Sequence, residues 1–410
     1  MTSSPVQTRL NPYNATFRQN PYPTFARLRA EDPIHLSVFN VWTATRYDDA
    51  RQCLRDARLK TATLPQGIAN RHPELVKRGQ SSQELADTTQ NFLFFRDPPD
   101  HGRMRSLVMP AFNMGSIQAI QPYVEEVVAN TLETLKPQGT GNAIADFAIY
   151  VPGLTICKLM GLPGGDHLQL HKWSKQLFRV FDPLLPLGEC AEMNEAALGF
   201  ADYLRYHLDQ KRNNPGDDCL SALLHIEKDG DRLSEKEIID LGIMTFVAGE
   251  RTTVAAIGGG LYGLLQFPAQ LQLLRDNPKL ARNAAEEALR FESPTQYLMR
   301  TATEAFELRG RQIEEGQNVL VCLGGANRDP LQFENPEQLD IQRKNANTHI
   351  AFAAGIHFCI GAGLARMELP LALAGLVQAL PNLTGDLAAV EWEHNITLRC
   401  LRSLKLTWNA

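Results

Sequence analysis

The sequence has little of what would place it in several large classes. Its seven cysteines, at positions 53, 157, 190, 219, 322, 359 and 400, are an odd number and form no CxxC pair, which excludes a disulfide framework. A basic excess is missing too, since 41 Lys and Arg stand against 46 Asp and Glu for a formal net charge of -5. A broad nucleic-acid-binding surface needs the opposite balance, so no nucleic-acid partner is expected. No apolar run approaches the roughly 20 residues of a membrane span. The longest, Val254 to Leu265, carries three consecutive glycines and reads as a buried helix. The opening MTSSPVQTRLNPYNATF lacks a basic start followed by an apolar stretch, so a soluble, cytoplasmic protein is expected. No repeat, low-complexity tract or convincing linker divides the 410 residues. Length would allow two domains, but a single domain over 1–410 is expected.

What is present is mostly helical patterning. Residues 1–20 are polar and read as an irregular surface segment. Helical spacing occupies Pro23 to Glu31, closed by Asp32-Pro33, and returns at Asp48 to Asp56, with a strand-like Trp42 to Thr45 between them. Residues 61–95 contain Pro65, Gly67, Pro73 and Gly79, show no clean period and read as a long irregular connection, of a kind that is usually functional. After Asp97-Pro98-Pro99 the pattern is helical for most of the way to Phe291, with breaks at Pro137 to Gly141, Pro163 to Asp166, Pro183 to Gly188 and Asn213 to Asp218. Ser234 and Glu237 have capping-box spacing and predict the start of a long helix crossing the core. Short strand-like pieces follow, including Phe306 to Leu308 and Val319 to Leu323. A Pro- and Asn-rich connection, Asn327 to Asn347, then leads to a helix after Cys359 and a closing strand over Leu398 to Trp408. The expected fold class is mainly α with a small β region.

One segment carries chemistry. Phe352-Ala353-Ala354-Gly355-Ile356-His357-Phe358-Cys359-Ile360-Gly361 sets a single cysteine among glycines, an aromatic and a histidine, just ahead of the helical run Leu364 to Val377. Backbone N–H groups at a helix start stabilise an anionic sulfur, and glycine permits the close loop approach this needs. A lone intracellular cysteine is most often a small buried apolar residue; the surroundings of Cys359 argue for a thiolate ligand instead. No cysteine-protease signature surrounds it.

These residues resemble the cytochrome P450 family, soluble bacterial type, and the resemblance runs from Asn20-Pro21-Tyr22-Pro23 to Leu404-Lys405-Leu406-Thr407-Trp408. It implies a P450-like single-domain fold holding haem b, with Cys359 as the axial iron ligand and Phe352 and Gly361 in the ligand loop. The family's usual glycine after the aromatic is here Ala353, whose methyl group should tighten the loop. Glu287 and Arg290, three apart and thus on one helix face, match the family's structural acid–arginine pair, which braces the approach to the cysteine loop. His101, Arg105, Arg300 and His357 match its propionate donors; alone, the pair His101 and Arg105 would pass for an exposed helix pair.

In Ala248-Gly249-Glu250-Arg251-Thr252-Thr253 the resemblance assigns the space beside Ala248 and Gly249 to dioxygen, and Thr252 to hydrogen bonding with it. Relatives commonly carry an acid immediately before this threonine, where this chain has Arg251, with Glu250 one position earlier. Both are candidate catalytic residues, but a 100° step per residue keeps Glu250 from simply replacing the missing acid. Arg251 is expected to be an interhelical ion-pair residue, with Thr252 and water still relaying protons; the sharper reading has it bind a substrate carboxylate or alter the oxygen chemistry.

The implied activity is monooxygenation of a small hydrophobic substrate by dioxygen. No Gly-rich dinucleotide fingerprint follows, and the resemblance implies electrons from a separate ferredoxin-type donor with its reductase. Arg343, Lys344 and Arg366 are candidate docking charges. Two other readings stay open: a haem-thiolate enzyme of another reaction type (peroxygenase, oxidative coupling or isomerisation), and a non-catalytic haem sensor. Residues 61–95, Phe181 to Cys190, Val247, Pro294 to Met299 and the segment near Thr397 are the expected pocket walls.

Overall fold

The longest helix, Glu235–Gln266, starts where a side chain can hold its first free N–H groups. Ser234 accepts from the Glu237 amide, and the Glu237 carboxylate accepts from the Ser234 amide. That capping box contributes about 1 kcal/mol. Beyond it the helix is buried on almost every side, from Ile238 to Leu265, so it runs through the core. Its glycines let neighbours come close: a Cβ at Gly260 would stand 3.1 Å from Ala288 and from Leu373, on the two helices that pack against it. Those helices are Ala281–Phe291, called here the brace helix, and Ala362–Ala379, which follows the cysteine loop.

The computed structural model describes residues 9–61, 64–112, 114–182, 185–228 and 230–409. Around the long helix lie Met114–Leu135, Tyr150–Met160, His167–Leu177 and Leu187–Asn213. A five-stranded sheet forms the smaller side, in the order Ile34–Leu36, Trp42–Ala44, Asn318–Cys322, Tyr297–Ala302, Leu59–Lys60. Asn318–Cys322 is parallel to Trp42–Ala44 and antiparallel to Tyr297–Ala302, with Val319 opposite Trp42 and Arg300. Burial alternates weakly in these strands because both faces are covered. The architecture is therefore mainly helical with small sheets. Among the described residues no helix is long and apolar enough to cross a membrane.

Several expectations are corrected. Ala15–Gln19 is helical, its Asn14 side chain accepting from the Phe17 amide; residues 1–8 lie outside the described residues. The stretch 61–95 is mostly helix: Leu64–Ala69, His72–Lys77 and Gln83–Gln90, then a tight turn at Leu93–Phe95. Pro65 and Pro73 sit in first turns, where the missing N–H costs nothing. The closing strand is two short ones, Leu401–Ser403 and Lys405–Thr407, in different sheets. The break expected at Pro183 to Gly188 falls partly outside the described residues, at Pro183 and Leu184.

Candidate functional site

Cys359 sits between a one-turn helix, Gly355–His357, and the helix Ala362–Ala379. Its own amide donates to the Phe352 carbonyl at 3.0 Å, which folds the loop back on itself. Two residues in that fold have left-handed backbones, Ala353 at φ 60° and Gly355 at φ 73°. At Gly355 a side chain is impossible, since a Cβ would lie 2.6 Å from the Leu54 carbonyl. At Ala353 the methyl group is tolerated at about 1–2 kcal/mol of strain. The residue as a whole is half-buried. Burial pushes its pKa up; the Gly361 and Ala362 amides, with Arg105 and Arg366, pull the other way and favour the thiolate.

Behind this loop the aromatic Phe352 is gripped by charges. The Arg366 guanidinium lies 4.7 Å from its ring centre and the His349 ring 5.5 Å away. Both side chains meet Glu286, Arg366 at 2.6 Å and His349 at 3.0 Å. Burial would raise the Glu286 pKa, but these two partners bring it down to about 2. Arg366 is thus engaged within the fold, although its side chain stays partly exposed.

Glu287 and Arg290 form a two-pronged pair at 2.7 Å and 2.7 Å, both wholly buried. Arg290 also donates to the carbonyls of Asn327, Pro336 and Gln338, while Glu287 accepts from the Asp340 amide and from Arg343. The pair thereby fastens the brace helix to the connection that leads to Cys359. Asn327 completes the link, donating to Ser293 and accepting from the Ile350 amide. This corrects the reading of Arg343 as a docking charge: it is buried against Glu287. Lys344 is exposed.

The four expected propionate donors come together. His101 and His357 have ring centres 4.5 Å apart, Arg105 donates to the Phe358 carbonyl at 2.9 Å, and Arg300 comes from the central sheet. Asp97, marked in the sequence only by the turn it opens, is the acid among them: it lies 4.0 Å from His357 and acts electrostatically on Arg300. Burial lowers the pKa of Arg300 to about 10. Burial, then His357 and Arg105, lowers that of His101 to about 4. His101 Nε2 is buried with no protein partner, and Arg300 donates to its neighbour's carbonyl, Met299. A cluster of donors with so little acid to satisfy it suits an anionic group, as haem carboxylates would be.

On the long helix, Thr245, Ala248, Gly249 and Thr252 are partly open while their neighbours are buried. Their spacing puts them on one face. The Thr252 hydroxyl donates to the Ala248 carbonyl at 2.6 Å. A Cβ at Gly249 would also meet the end of the Ile156 side chain at 2.7 Å. The charged residues point elsewhere. Glu250 is fully buried and accepts from His171 at 2.6 Å and Ser174 at 2.8 Å, so the expected catalytic acid is a tie to the helix His167–Leu177. Arg251 pairs with Glu393 at 2.6 Å, and Glu393 meets Lys175 at 3.0 Å. Glu393 lies on the turn between Glu391–Trp392 and Leu401–Ser403, so the ion pair is helix to turn rather than interhelical. Burial would lower the pKa of Arg251, but Cys400, Glu393 and Glu250 outweigh it and raise it, so the guanidinium stays charged.

Some of the expected pocket walls meet, while Val247 is wholly buried. Phe181 packs against Phe94 and Phe95, each with ring centres 5.4 Å away, and against Phe178 at 5.0 Å. Thr397 donates to the Phe181 carbonyl, and its own carbonyl accepts from the Gln296 amide.

Comparison with known proteins agrees with this geometry. Residues 68–381 match the Cytochrome P450 family model. A polyketide biosynthesis cytochrome P450, PksS, of Bacillus subtilis is 33% identical over 97% of this chain and 98% of its own. The cytochrome P450 monooxygenase PikC of Streptomyces venezuelae is 35% identical over 99% of this chain and 95% of its own. Among solved structures, CalO2 superposes with a TM-score of 0.91 at 30% identity, covering 98% of this chain and 99% of that one. P450BioI, solved in complex with hexadec-9Z-enoic acid ligated acyl carrier protein, gives 0.87 at 33%, over 96% and 99%. The chain belongs, across its full length, to the bacterial-type cytochrome P450 monooxygenases, a family whose cofactor is a haem-thiolate.

Proposed function

We propose that the protein works as one haem b domain that inserts an oxygen atom from dioxygen into an apolar small molecule, with electrons from a separate ferredoxin-type donor and its reductase. The observation that carries this is the gathering of His101, Arg105, Arg300 and His357 beside the Cys359 loop. Haem held here would supply the reductive activation of dioxygen, and the Cys359 sulfur would enrich its electron density.

The chain's own residues do the rest. Cys359 provides the sulfur, held by the Phe352 carbonyl and the brace behind it. Arg105 and Arg300 hold the propionates with charged hydrogen bonds. His101, kept neutral by burial, still has one ring N–H to donate. Thr252 is fitted to move a proton: its hydroxyl donates to Ala248, so its lone pairs accept from water, and a rotation frees the proton for dioxygen. The phenylalanines around Phe181 exclude water and favour a hydrophobic substrate. Relatives named for polyketide biosynthesis and as a Vitamin D(3) 25-hydroxylase support a bulky apolar one. Exposed Ile356 and Phe358 in the cysteine loop support docking of the electron donor on that face.

A second reading, turnover driven by peroxide, is favoured by Arg251 standing where relatives commonly have an acid. A spectral titration with a library of apolar compounds, followed by turnover with ferredoxin and reductase or with peroxide alone, separates the two. Substrate-dependent electron consumption with product supports monooxygenation; product from peroxide that is indifferent to reductase supports the second reading.

A further inference from the structure

Asp240 lies in the second turn of the long helix and plays no part in the reaction described above. Its carboxylate is wholly buried. The cation that reaches it, Lys236, is 3.4 Å away, 47% exposed and shared with Glu84 at 3.2 Å, so solvent screens much of its charge. The strong contact is to a neutral group: Asn91 Nδ2 donates to the Asp240 carboxylate at 2.6 Å. Thr88, on the helix Gln83–Gln90, also faces this carboxylate. Burial pushes the Asp240 pKa up to about 6, and Asn91, Lys236 and Thr88 offset that only in part.

Asn91 opens the turn that carries the phenylalanines around Phe181. Its Oδ1 accepts from Arg96, which closes residues 91–96 into a loop, and Arg96 is held in turn by Asp100 at 3.4 Å. Within that loop sit Phe94 and Phe95, each with its ring centre 5.4 Å from that of Phe181. Among the described residues, two hydrogen bonds fasten the loop to the long helix, one turn apart: Asn91 to Asp240, and the Leu93 amide to Met244 Sδ at 3.1 Å. A thioether is a weak acceptor, whereas a bond to a charged carboxylate is among the strong ones. The stronger tie is therefore the one whose strength depends on protonation. A neutral Asp240 accepts less well from Asn91 and loses its attraction for Lys236.

We propose that Asp240 is the positioning residue for this wall of the pocket: its charged carboxylate draws in Asn91 and sets Phe94 and Phe95 against the substrate, and the protonated acid releases them. The inference rests on the reading of the Phe181 cluster as the place where an apolar substrate lies. Its consequence is a pH-dependent grip on that substrate. Asp240 is charged above its pKa near 6 and neutral below it, so affinity is full above that value and falls as pH drops through it. Only the charged fraction binds tightly, and that fraction is about tenfold smaller at pH 5 than at pH 7.

The test uses the haem-loaded full chain and the tightest-binding apolar compound of the library that has no group titrating between pH 5 and pH 7. Spectral titration of the parent should show about tenfold weaker binding at pH 5 than at pH 7. In Asp240→Asn, binding at pH 7 should already match that of the parent at pH 5 and should not change with pH. Haem content and the carbon-monoxide band should stay as in the parent. Equal parent affinity at the two pH values overturns the proposal. So does an Asp240→Asn variant that binds like the parent at pH 7, as a purely structural tie would allow, or one that keeps the parent's pH step. If Asp240→Asn takes up no haem, Asn91→Ala decides: it leaves the acid in place but cuts its hold on the loop, so the step should vanish, and a step retained there overturns the proposal. Failure of the pocket reading looks different, since no apolar compound would then shift the spectrum at either pH, and the proposal would fall with it.

Discussion

The two sides of the core use buried charge in different ways. On the cysteine side, Glu287, Arg290 and Arg343 satisfy one another and a row of carbonyls with no route to water. On the helix side, Arg251, Glu393, Lys175 and His171 grade from fully buried to half-exposed. The first arrangement resists any change of protonation and keeps geometry fixed; the second keeps an ionisable group within reach of solvent. The difference teaches that buried ion pairs in one domain need not share a purpose. Those behind the ligand serve rigidity around the cysteine loop, and those beside Thr252 tie the long helix to the helix and turn packed on it.

Removing the rigid pair should have the largest effect. Arg290→Leu leaves Glu287 buried with Arg343 alone, a loss of about 3–5 kcal/mol by the cost of breaking a buried pair. The expected outcome is protein without haem, read from the absorbance of the purified chain; a variant with normal haem content would show that the brace is dispensable. Arg251→Ala should cost less, about 1.5–3 kcal/mol for a lost charged hydrogen bond, because Lys175 still neutralises Glu393. Its haem content should match the parent, read from the absorbance of the purified chain. Unchanged substrate affinity in this variant would also dispose of a substrate-carboxylate role for Arg251.

Acid should sharpen the same contrast. His101 has a folded pKa near 4, below its ordinary value near 6.5. The unfolded chain therefore takes up this proton first, so the stability is present above pH 6.5 and is lost as pH falls towards 4. Glu286, held near 2, contributes stability above its ordinary carboxylate range that is lost only in stronger acid. Thermal unfolding of the parent and of His101→Gln at pH 7 and pH 5 checks the first statement: the variant should lose less stability between them. The smallest effect is a gain. Ala353→Gly relieves a left-handed alanine and should stabilise by about 0.5–1 kcal/mol, the strain relief less glycine's entropy, with the carbon-monoxide band unmoved.

What was legible in the sequence follows the same division. The Ser234–Glu237 box, the three-residue step from Glu287 to Arg290 and the residues around Cys359 are local patterns, and local patterns can be read directly. Glu393 is 142 residues from Arg251, and nothing near it in sequence marks it as that residue's partner. Asp97 was noted for the turn after it, while its role depends on a sheet residue two hundred positions away, Arg300. The helices in 61–95 were hidden by prolines read as breaks, although a first turn accepts them. Arg343 passed for a surface residue because burial of an arginine depends on its distant acid.

The central claim is that the Cys359 sulfur is the thiolate ligand of a bound haem. The most direct measurement is the absorption spectrum of the reduced protein under carbon monoxide, for the parent and for Cys359→Ser. The account predicts the red-shifted band of thiolate ligation in the parent and its loss in the variant. A haem-loaded parent without that band, or a variant that retains it, would contradict the account.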